Sequence, residues 1–177
     1  ASLKKRKLKS KNWGGLHEAE VLKLSDFIDT FNTNSTRKTY YLHDWGLPGH
    51  CPEIMGEPPY DEYIMPKYFS GDYFQRVPFN GYQHSWPSLF IGANGTQSNM
   101  HIDSGQTNFW LYLISGEKEW VLYDWYDKMN LYQSPYKSSF RVDPFHPDLD
   151  KFPLFAKTTT YATTQQPGEL VFIPGGC

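Results

Sequence analysis

From position 88 onward, short runs of apolar and aromatic residues alternate with turn residues. Turn chemistry occupies positions 92–95, 115–116 and 167–168, and runs of about four to eight apolar residues between such turns are typical of β-strands. The predicted strands cover residues 88–92, 99–103, 107–114, 119–123, 158–163 and 169–173. We therefore expect the second half of the chain to be rich in β-structure.

The first half carries a weaker and more mixed pattern. Phe27, Ile28 and Phe31 recur at helical spacing, and Ser25 is a suitable N-cap, so a short amphipathic helix is predicted to end near residues 32–35. Further predicted elements are a strand at 39–43, a long connection at 45–62 and a helical segment at 66–75. A helical or irregular N-terminal third therefore precedes the strands.

The composition favours a mostly-β fold of the sandwich or jelly-roll kind. The 177 residues include 6 Trp, 13 Tyr, 12 Phe, 14 Gly and 13 Pro, a mixture that suits pleated, half-buried surfaces joined by tight turns. Two cysteines are too few for a disulfide scaffold and favour a reducing compartment. No apolar run approaches the roughly 18 residues that span a bilayer, so we expect no membrane partner.

Charge is distributed unevenly along the chain. Six of the 17 basic residues lie within positions 4–11, which leaves 11 for the rest of the chain against all 19 acidic residues. We divide the chain into a basic arm (1–12), an N-terminal part (13–87) and a β core (88–177). The arm is either a solvated surface element or a nuclear or nucleo-cytoplasmic address, and nucleic acid is expected to contact the chain only there.

The strongest chemical signal is His101-Ile102-Asp103. Residues two apart on a strand project to the same side, so His101 and Asp103 can bind one metal ion, and an imidazole with a carboxylate makes up two thirds of the facial triad that binds Fe(II). The tripeptide itself is common. A second copy, residues 146–148, contains Pro147 and is predicted to be a surface loop.

Lys118 follows His101 by 17 residues and comes just after the Ser115-Gly116 turn. A hairpin between 107–114 and 119–123 would bring its ammonium over the metal pair, where an anionic ligand such as a dicarboxylic acid could bind it. The alternative is a lysine that extends to solvent from the end of a hairpin.

These residues resemble the JmjC family of Fe(II)- and 2-oxoglutarate-dependent oxygenases, and within it the small protein hydroxylases. The segments that carry the resemblance are 101–103, 116–120, 148–153 and 167–176. The resemblance implies a double-stranded β-helix of the cupin type. It also implies that the last strands of this β-helix, together with a second iron-binding histidine, follow Cys177, so we expect this chain to be one segment of a longer protein.

The resemblance further implies a role for individual residues. His101 and Asp103 match the first two Fe(II) ligands, and Lys118 matches the residue that binds the distal carboxylate of 2-oxoglutarate. Three other residues match the cosubstrate pocket less closely, namely Ser98, Thr107 and Tyr41. One departure is Leu111, which stands where the closest subgroup has an asparagine near the oxo-acid end of the cosubstrate.

The implied activity is hydroxylation, in preference to demethylation, of a Lys, Arg, Asn or His side chain in a protein or peptide substrate. Fe(II) and 2-oxoglutarate would be the cofactor and cosubstrate. A JmjC-like scaffold or peptide-binding module without catalysis is the main alternative, and Leu111 favours it. A metal cupin that acts on small molecules is a third possibility, and it gives no role to Lys118. The sequence makes no prediction about the oligomeric state.

Overall fold

The computed structural model describes residues 21–32, 40–56, 66–78, 82, 84–135 and 139–177. These residues form two compact units, one ending at Gln97 and the other beginning at Ser98. The basic arm (1–12) lies outside the described residues, as does part of the predicted connection at 45–62. Within the described ranges, no helix has the length and apolar character needed to cross a membrane.

The first unit combines a helix with a two-stranded antiparallel sheet. Its elements are α1 (Leu24–Asn32), β1 (Tyr41–Gly46), α2 (Leu47–His50), a 3-10 turn (Pro52–Met55), α3 (Tyr73–Arg76) and β2 (Ser88–Gly92). β1 pairs with β2, with Leu42 opposite Ile91. The strand predicted at 88–92 is confirmed, whereas the one predicted at 39–43 lies at Tyr41–Gly46.

α1 forms where the apolar spacing predicts it. Phe27 is buried, with 5% of its surface exposed, and its ring packs edge-to-face on Phe31. Asp26 lies in the first turn, where a carboxylate interacts favourably with the helix dipole. The amide of Phe27 donates to the carbonyl of Lys23. Since the helix thus begins before Ser25, that residue lies inside the first turn, and its prediction as the N-cap is wrong.

The second unit contains two two-stranded antiparallel sheets. Its strands are β3 (Phe109–Tyr112), β4 (Lys118–Tyr123), β5 (Thr160–Gln165) and β6 (Leu170–Ile173), and 3-10 turns lie at Ser104–Gln106, Trp125–Met129 and Pro153–Lys157. β3 pairs with β6, and β4 pairs with β5. The buried apolar residues of this unit are Ile102, Tyr123, Leu131, Val142 and Phe152.

The predicted hairpin between the strands on either side of Ser115-Gly116 is wrong. β3 and β4 belong to different sheets, and Gly116 has a positive φ of 84° where the chain turns between them. The rings of Phe109 on β3 and Trp120 on β4 lie 6.3 Å apart. The two strands therefore share no ladder and contact each other through these two rings.

Gln165 links the two sheets. Only 1% of its surface is exposed, and its amide nitrogen donates to the carbonyls of Leu111 and Glu169 at 3.0 and 2.8 Å. Its amide oxygen accepts a hydrogen bond from the indole nitrogen of Trp120 at 2.9 Å. Both polar atoms of this buried side chain are thus satisfied, as burial of an amide requires.

The strand predicted at 99–103 is also wrong. Among the described residues, this segment makes one isolated bridge, between His101 and Ser139. A 3-10 turn begins at Ser104, and Gly105 and Gln106 have positive φ values of 68° and 55°. The chain turns immediately after Asp103, so a continuous ladder cannot extend through it.

Candidate functional site

His101 and Asp103 lie side by side, as their spacing predicts. The His101 Nε2 and Asp103 Oδ1 atoms are 3.6 Å apart, and 23% and 26% of the two side chains are exposed. Ile102 between them is buried, with 7% exposed, so its side chain anchors the segment while its two neighbours face the other way. Although the surrounding strand is not formed, the extended backbone still places both side chains on one side.

The imidazole of His101 is oriented by its own backbone. Nδ1 lies 2.6 Å from the carbonyl oxygen of Asn99. A carbonyl can only accept a hydrogen bond, so Nδ1 is the donor, and in the neutral ring the lone pair lies on Nε2, the nitrogen that faces Asp103. Histidines that bind metals usually donate their other ring nitrogen in this way, because the bond fixes the tautomer and the ring orientation.

The turn after Asp103 fixes the carboxylate end of the pair. The amide of Gln106 donates to the Asp103 carbonyl at 3.0 Å, and the hydroxyl of Thr107 donates to the Ser104 carbonyl at 3.3 Å. Thr107 therefore closes this turn. Its predicted contact with 2-oxoglutarate stays a prediction.

The turn that follows β6 packs directly against this segment. The amide of Gly175 donates to Oδ1 of Asn108 at 2.8 Å, and a Cβ at Gly175 would collide with the Gln106 carbonyl. Gly176 has a φ of 94° and faces the ring of Trp125. Only glycine fits both the close approach and the left-handed backbone. The end of β6 is thereby held beside the turn that carries Asp103.

Lys118 is the first residue of β4 and shares a face with Trp120. Its Nζ lies 5.0 Å from the centre of the Trp120 ring, and that ring contacts Phe109 on β3. Lys118 therefore points towards the sheet that begins six residues after Asp103. Burial lowers the pKa of its ammonium below the usual lysine value. The predicted hairpin is absent, but the stacked sheets still turn Lys118 inward.

The remaining predicted cosubstrate residues are placed as follows. Ser98 is half-buried three residues before His101. Tyr41 belongs to the first unit, where its ring packs 6.5 Å from Phe90 and 5.7 Å from His43. The roles of Ser98 and Tyr41 in binding 2-oxoglutarate stay predictions.

The donor set of His101 and Asp103 fits Fe(II). Among the residues that the structure describes, no group of three His, Cys, Asp or Glu side chains could hold a metal ion. The pair would therefore supply two ligands of a facial set, and a third would come from another residue. The partial exposure of both side chains leaves room for further ligands.

The second histidine-aspartate tripeptide has no such geometry. His146 is 87% exposed and lies 3.6 Å from Asp143, which is three residues earlier. The carboxylate of Asp148 accepts a hydrogen bond from the amide of Lys151. The prediction of a surface loop is confirmed, and the two copies of the same tripeptide differ because only the first flanks a buried residue.

Two residues of the site region were not predicted from the sequence. Asn108 binds the turn after β6, and Gln165 binds Trp120. Both act through residues that are more than 40 positions away, so the local pattern contains no signal for either.

The whole-chain comparison agrees with this architecture. Residues 8–176 match the cupin-like domain family model. The chain therefore belongs to the cupin-like family, which confirms the mostly-β, jelly-roll class and agrees with a partial jelly roll built from antiparallel pairs.

Three relatives identify the branch of the family. The chain is 31% identical to HSPB1-associated protein 1 homolog of Danio rerio over 72% of its own length and 30% of that protein. It is 29% identical to 2-oxoglutarate and iron-dependent oxygenase JMJD4 of Gallus gallus over 80% of its own length and 32% of that protein. It is 24% identical to arginine-specific demethylase JMJ20 of Arabidopsis thaliana over 88% of its own length and 36% of that protein.

These relatives confirm the resemblance to the JmjC family of 2-oxoglutarate oxygenases. The chain spans about a third of the length of each of the three. The comparison therefore establishes the family and the fold of this domain.

Proposed function

We propose that this domain carries the active site of an Fe(II)- and 2-oxoglutarate-dependent oxygenase. The observation that carries the proposal is the pairing of His101 Nε2 with the Asp103 carboxylate at 3.6 Å, with the imidazole held in the ligating tautomer by Asn99. The relatives named as 2-oxoglutarate and iron-dependent oxygenases support the same chemistry.

His101 and Asp103 would hold the iron, and the third ligand would follow the turn at Gly175. The packing of that turn against Gln106 and Asn108 supports this arrangement, since it brings the end of β6 to the segment that carries the pair. A histidine soon after Cys177 stays a prediction.

Bound Fe(II) would let dioxygen oxidise 2-oxoglutarate to succinate and carbon dioxide while the second oxygen atom hydroxylates a C–H bond of the substrate. The protein's own groups bind and orient. Lys118 binds the distal carboxylate of 2-oxoglutarate through a charge-assisted hydrogen bond. The aromatic rings of Phe109 and Trp120, which pack together beside Lys118, limit the access of water to that end of the site.

The proposed substrate is a Lys, Arg, Asn or His side chain of a polypeptide, with hydroxylation preferred to demethylation. The relatives' printed names include both an oxygenase and an arginine-specific demethylase. Hydroxylation of the N-methyl carbon itself would give a hemiaminal, which breaks its C–N bond to leave N–H and release formaldehyde, so one site could serve either outcome and the substrate would decide between them.

A scaffold or peptide-binding module without catalysis is the second candidate. Leu111 favours it, since a leucine cannot hydrogen-bond the oxo-acid end of the cosubstrate. Leu111 lies on β3 on the same face as Phe109, and its carbonyl is already engaged by Gln165. An active site would have to orient that end of 2-oxoglutarate through other groups.

Turnover of 2-oxoglutarate separates the two candidates. The full-length protein is incubated with Fe(II), ascorbate, 2-oxoglutarate and a panel of peptides, and succinate is measured. The oxygenase predicts succinate above the level of a His101→Ala variant. Equal succinate from the two proteins, with metal still bound to the wild type, would favour the scaffold.

A nuclear or nucleo-cytoplasmic location is proposed on the basis of the basic arm alone. Six like charges within residues 4–11 suit an import signal or phosphate contacts. A fused reporter should concentrate in the nucleus and should lose that bias when Lys4, Lys5, Arg6 and Lys7 are replaced by alanine.

A further inference from the structure

Gln165 is the one polar side chain that is buried among the described residues, with 1% of its surface exposed. A buried amide contributes less to stability than an apolar side chain of similar size unless all of its hydrogen bonds are made. An apolar residue would fill the same space between the sheets. The hydrogen bonds of Gln165 show which neighbouring groups its amide holds in place.

The amide oxygen of Gln165 orients the ring of Trp120. It accepts the indole N–H at 2.9 Å, which fixes the plane of a ring that could otherwise rotate about its side-chain bonds. The Nζ atom of Lys118 lies 5.0 Å from the centre of that ring. Lys118 and Gln165 are also directly opposed in the β4–β5 ladder. The position of the Lys118 ammonium therefore depends on the Gln165 side chain through the Trp120 ring.

The amide nitrogen of Gln165 ties this arrangement to the other sheet. It donates to the carbonyl of Leu111 on β3 and to the carbonyl of Glu169, which directly precedes β6. β3 follows the segment of His101 and Asp103, and β6 leads to the turn at Gly175. One buried amide thus joins the strand of Lys118 to the two strands nearest the metal pair.

We propose that Gln165 is a positioning residue, which fixes the Lys118 ammonium through Trp120 and so sets the affinity for the distal carboxylate of a dicarboxylic 2-oxo acid. This inference rests on the proposed function, since it assumes that Lys118 binds the cosubstrate. It assigns Gln165 no contact with the ligand. It therefore predicts an effect that appears only with ligands that carry the distal carboxylate.

The test compares two ligands on the full-length protein with Mn(II) in place of iron. 2-Oxoglutarate carries the distal carboxylate, and 2-oxobutanoate lacks it. Dissociation constants are measured by calorimetry for the wild type, Gln165→Met, Trp120→Phe and the double variant. Tyr132→Phe is the matched control, because it removes one hydrogen-bonding atom from an aromatic ring of the same unit, the acceptor of the Leu154 amide.

Each single variant should weaken 2-oxoglutarate binding by about fivefold, the equivalent of one ordinary hydrogen bond, and should leave 2-oxobutanoate binding within about twofold. The double variant should be no weaker than the worse single variant, since both break the same path. Tyr132→Phe should change neither constant. Trp120→Phe keeps an aromatic ring but removes the indole N–H that Gln165 accepts, so it tests the proposal even if Gln165→Met does not fold.

Two results would overturn the positioning role of Gln165. The first leaves the proposed function intact, and the second also overturns the assignment of Lys118. If the wild type prefers 2-oxoglutarate but Trp120→Phe retains its affinity, or weakens both ligands equally, Gln165 is structural only and the proposed function stands. If the wild type does not prefer 2-oxoglutarate to 2-oxobutanoate, the assignment of Lys118 fails and the positioning role fails with it.

Discussion

At the scale of single residues, the candidate site depends on backbone contacts as much as on its ligands. The Asn99 carbonyl sets the tautomer of His101. The glycine at 175 lets the turn after β6 approach Gln106. Neither the Asn99 carbonyl nor Gly175 would itself touch the iron or the cosubstrate. A substitution at Gly175 should therefore change the geometry of the site without removing any ligand.

Gly175→Ala should destabilise the domain by about 1 to 3 kcal/mol, the usual cost of forcing an extra methyl group into a packed site. The added Cβ would collide with the Gln106 carbonyl, which is backbone and cannot move away easily. Gly71→Ala is the control, because a Cβ there meets nothing within 4 Å. Urea denaturation measures both. Equal midpoints for the two variants would contradict the packing described for the turn.

Lys118→Ala should raise the dissociation constant of 2-oxoglutarate by roughly 10- to 150-fold, because a charge-assisted contact is worth about 1.5 to 3 kcal/mol. The contact between Lys118 and the distal carboxylate exists only in the complex, so its loss should not lower the thermal stability of the unliganded protein. Calorimetry and a thermal melt measure the two effects. An unchanged dissociation constant would place the cosubstrate anchor elsewhere.

The binding of 2-oxoglutarate should weaken at alkaline pH, because burial lowers the pKa of the same lysine. Burial lowers the pKa of Lys118 from 10.5. Lys118 binds a carboxylate only while it is protonated, so the affinity for 2-oxoglutarate should be highest below the pKa of Lys118 in the folded protein. It should fall as the pH rises through that pKa, which lies below 10.5. Lys118→Arg should remove this alkaline loss, because the guanidinium stays charged. A wild-type affinity that stays constant up to pH 10.5 would contradict the assignment.

At the scale of elements, the sequence predicts most of the strands but not how they pair. The apolar runs at 107–114 and 119–123 identify β3 and β4. The short turn between them suggested a hairpin, since sequence neighbours usually pair. The observed pairs, β3 with β6 and β4 with β5, join segments that are tens of residues apart. The rings of Phe109 and Trp120 contact each other in a tilted arrangement between the two sheets, and no local sequence pattern predicts this contact.

The candidate site could also be predicted only in part. His101 and Asp103 follow from their spacing, because an extended backbone alone brings residues two apart to one side. Gln165 could not be identified, since β5 is mostly polar and the importance of this glutamine arises from partners on three other segments. Asn108 was missed for the same reason.

Gln165→Leu should lower the free energy of unfolding by about 1 to 3 kcal/mol. The leucine would leave the Trp120 indole N–H without its acceptor, and an unsatisfied buried group costs about that much. The Glu169 carbonyl would still accept the Leu113 amide. Gln166→Leu is the control, because that side chain is exposed and bonds only Glu117 at the surface. Similar unfolding midpoints for the two variants would show that the amide does not join the sheets.

At the scale of the whole molecule, a cupin-like domain places the candidate ligand pair His101 and Asp103 and the half-buried Lys118 in its second unit. The family match covers almost the entire chain, and the relatives connect that family to iron and 2-oxoglutarate. The central claim is that His101 and Asp103 bind Fe(II) together with the 2-oxo acid.

The most direct test is the visible charge-transfer absorption that a 2-oxo acid produces when it chelates protein-bound Fe(II). It is measured on the full-length protein without oxygen, so no turnover is needed. The wild type and His146→Ala should both show the band, since His146 belongs to the exposed copy of the tripeptide. His101→Ala and Asp103→Ala should lose it. A band of wild-type intensity in His101→Ala, or no band in the wild type, would contradict the account.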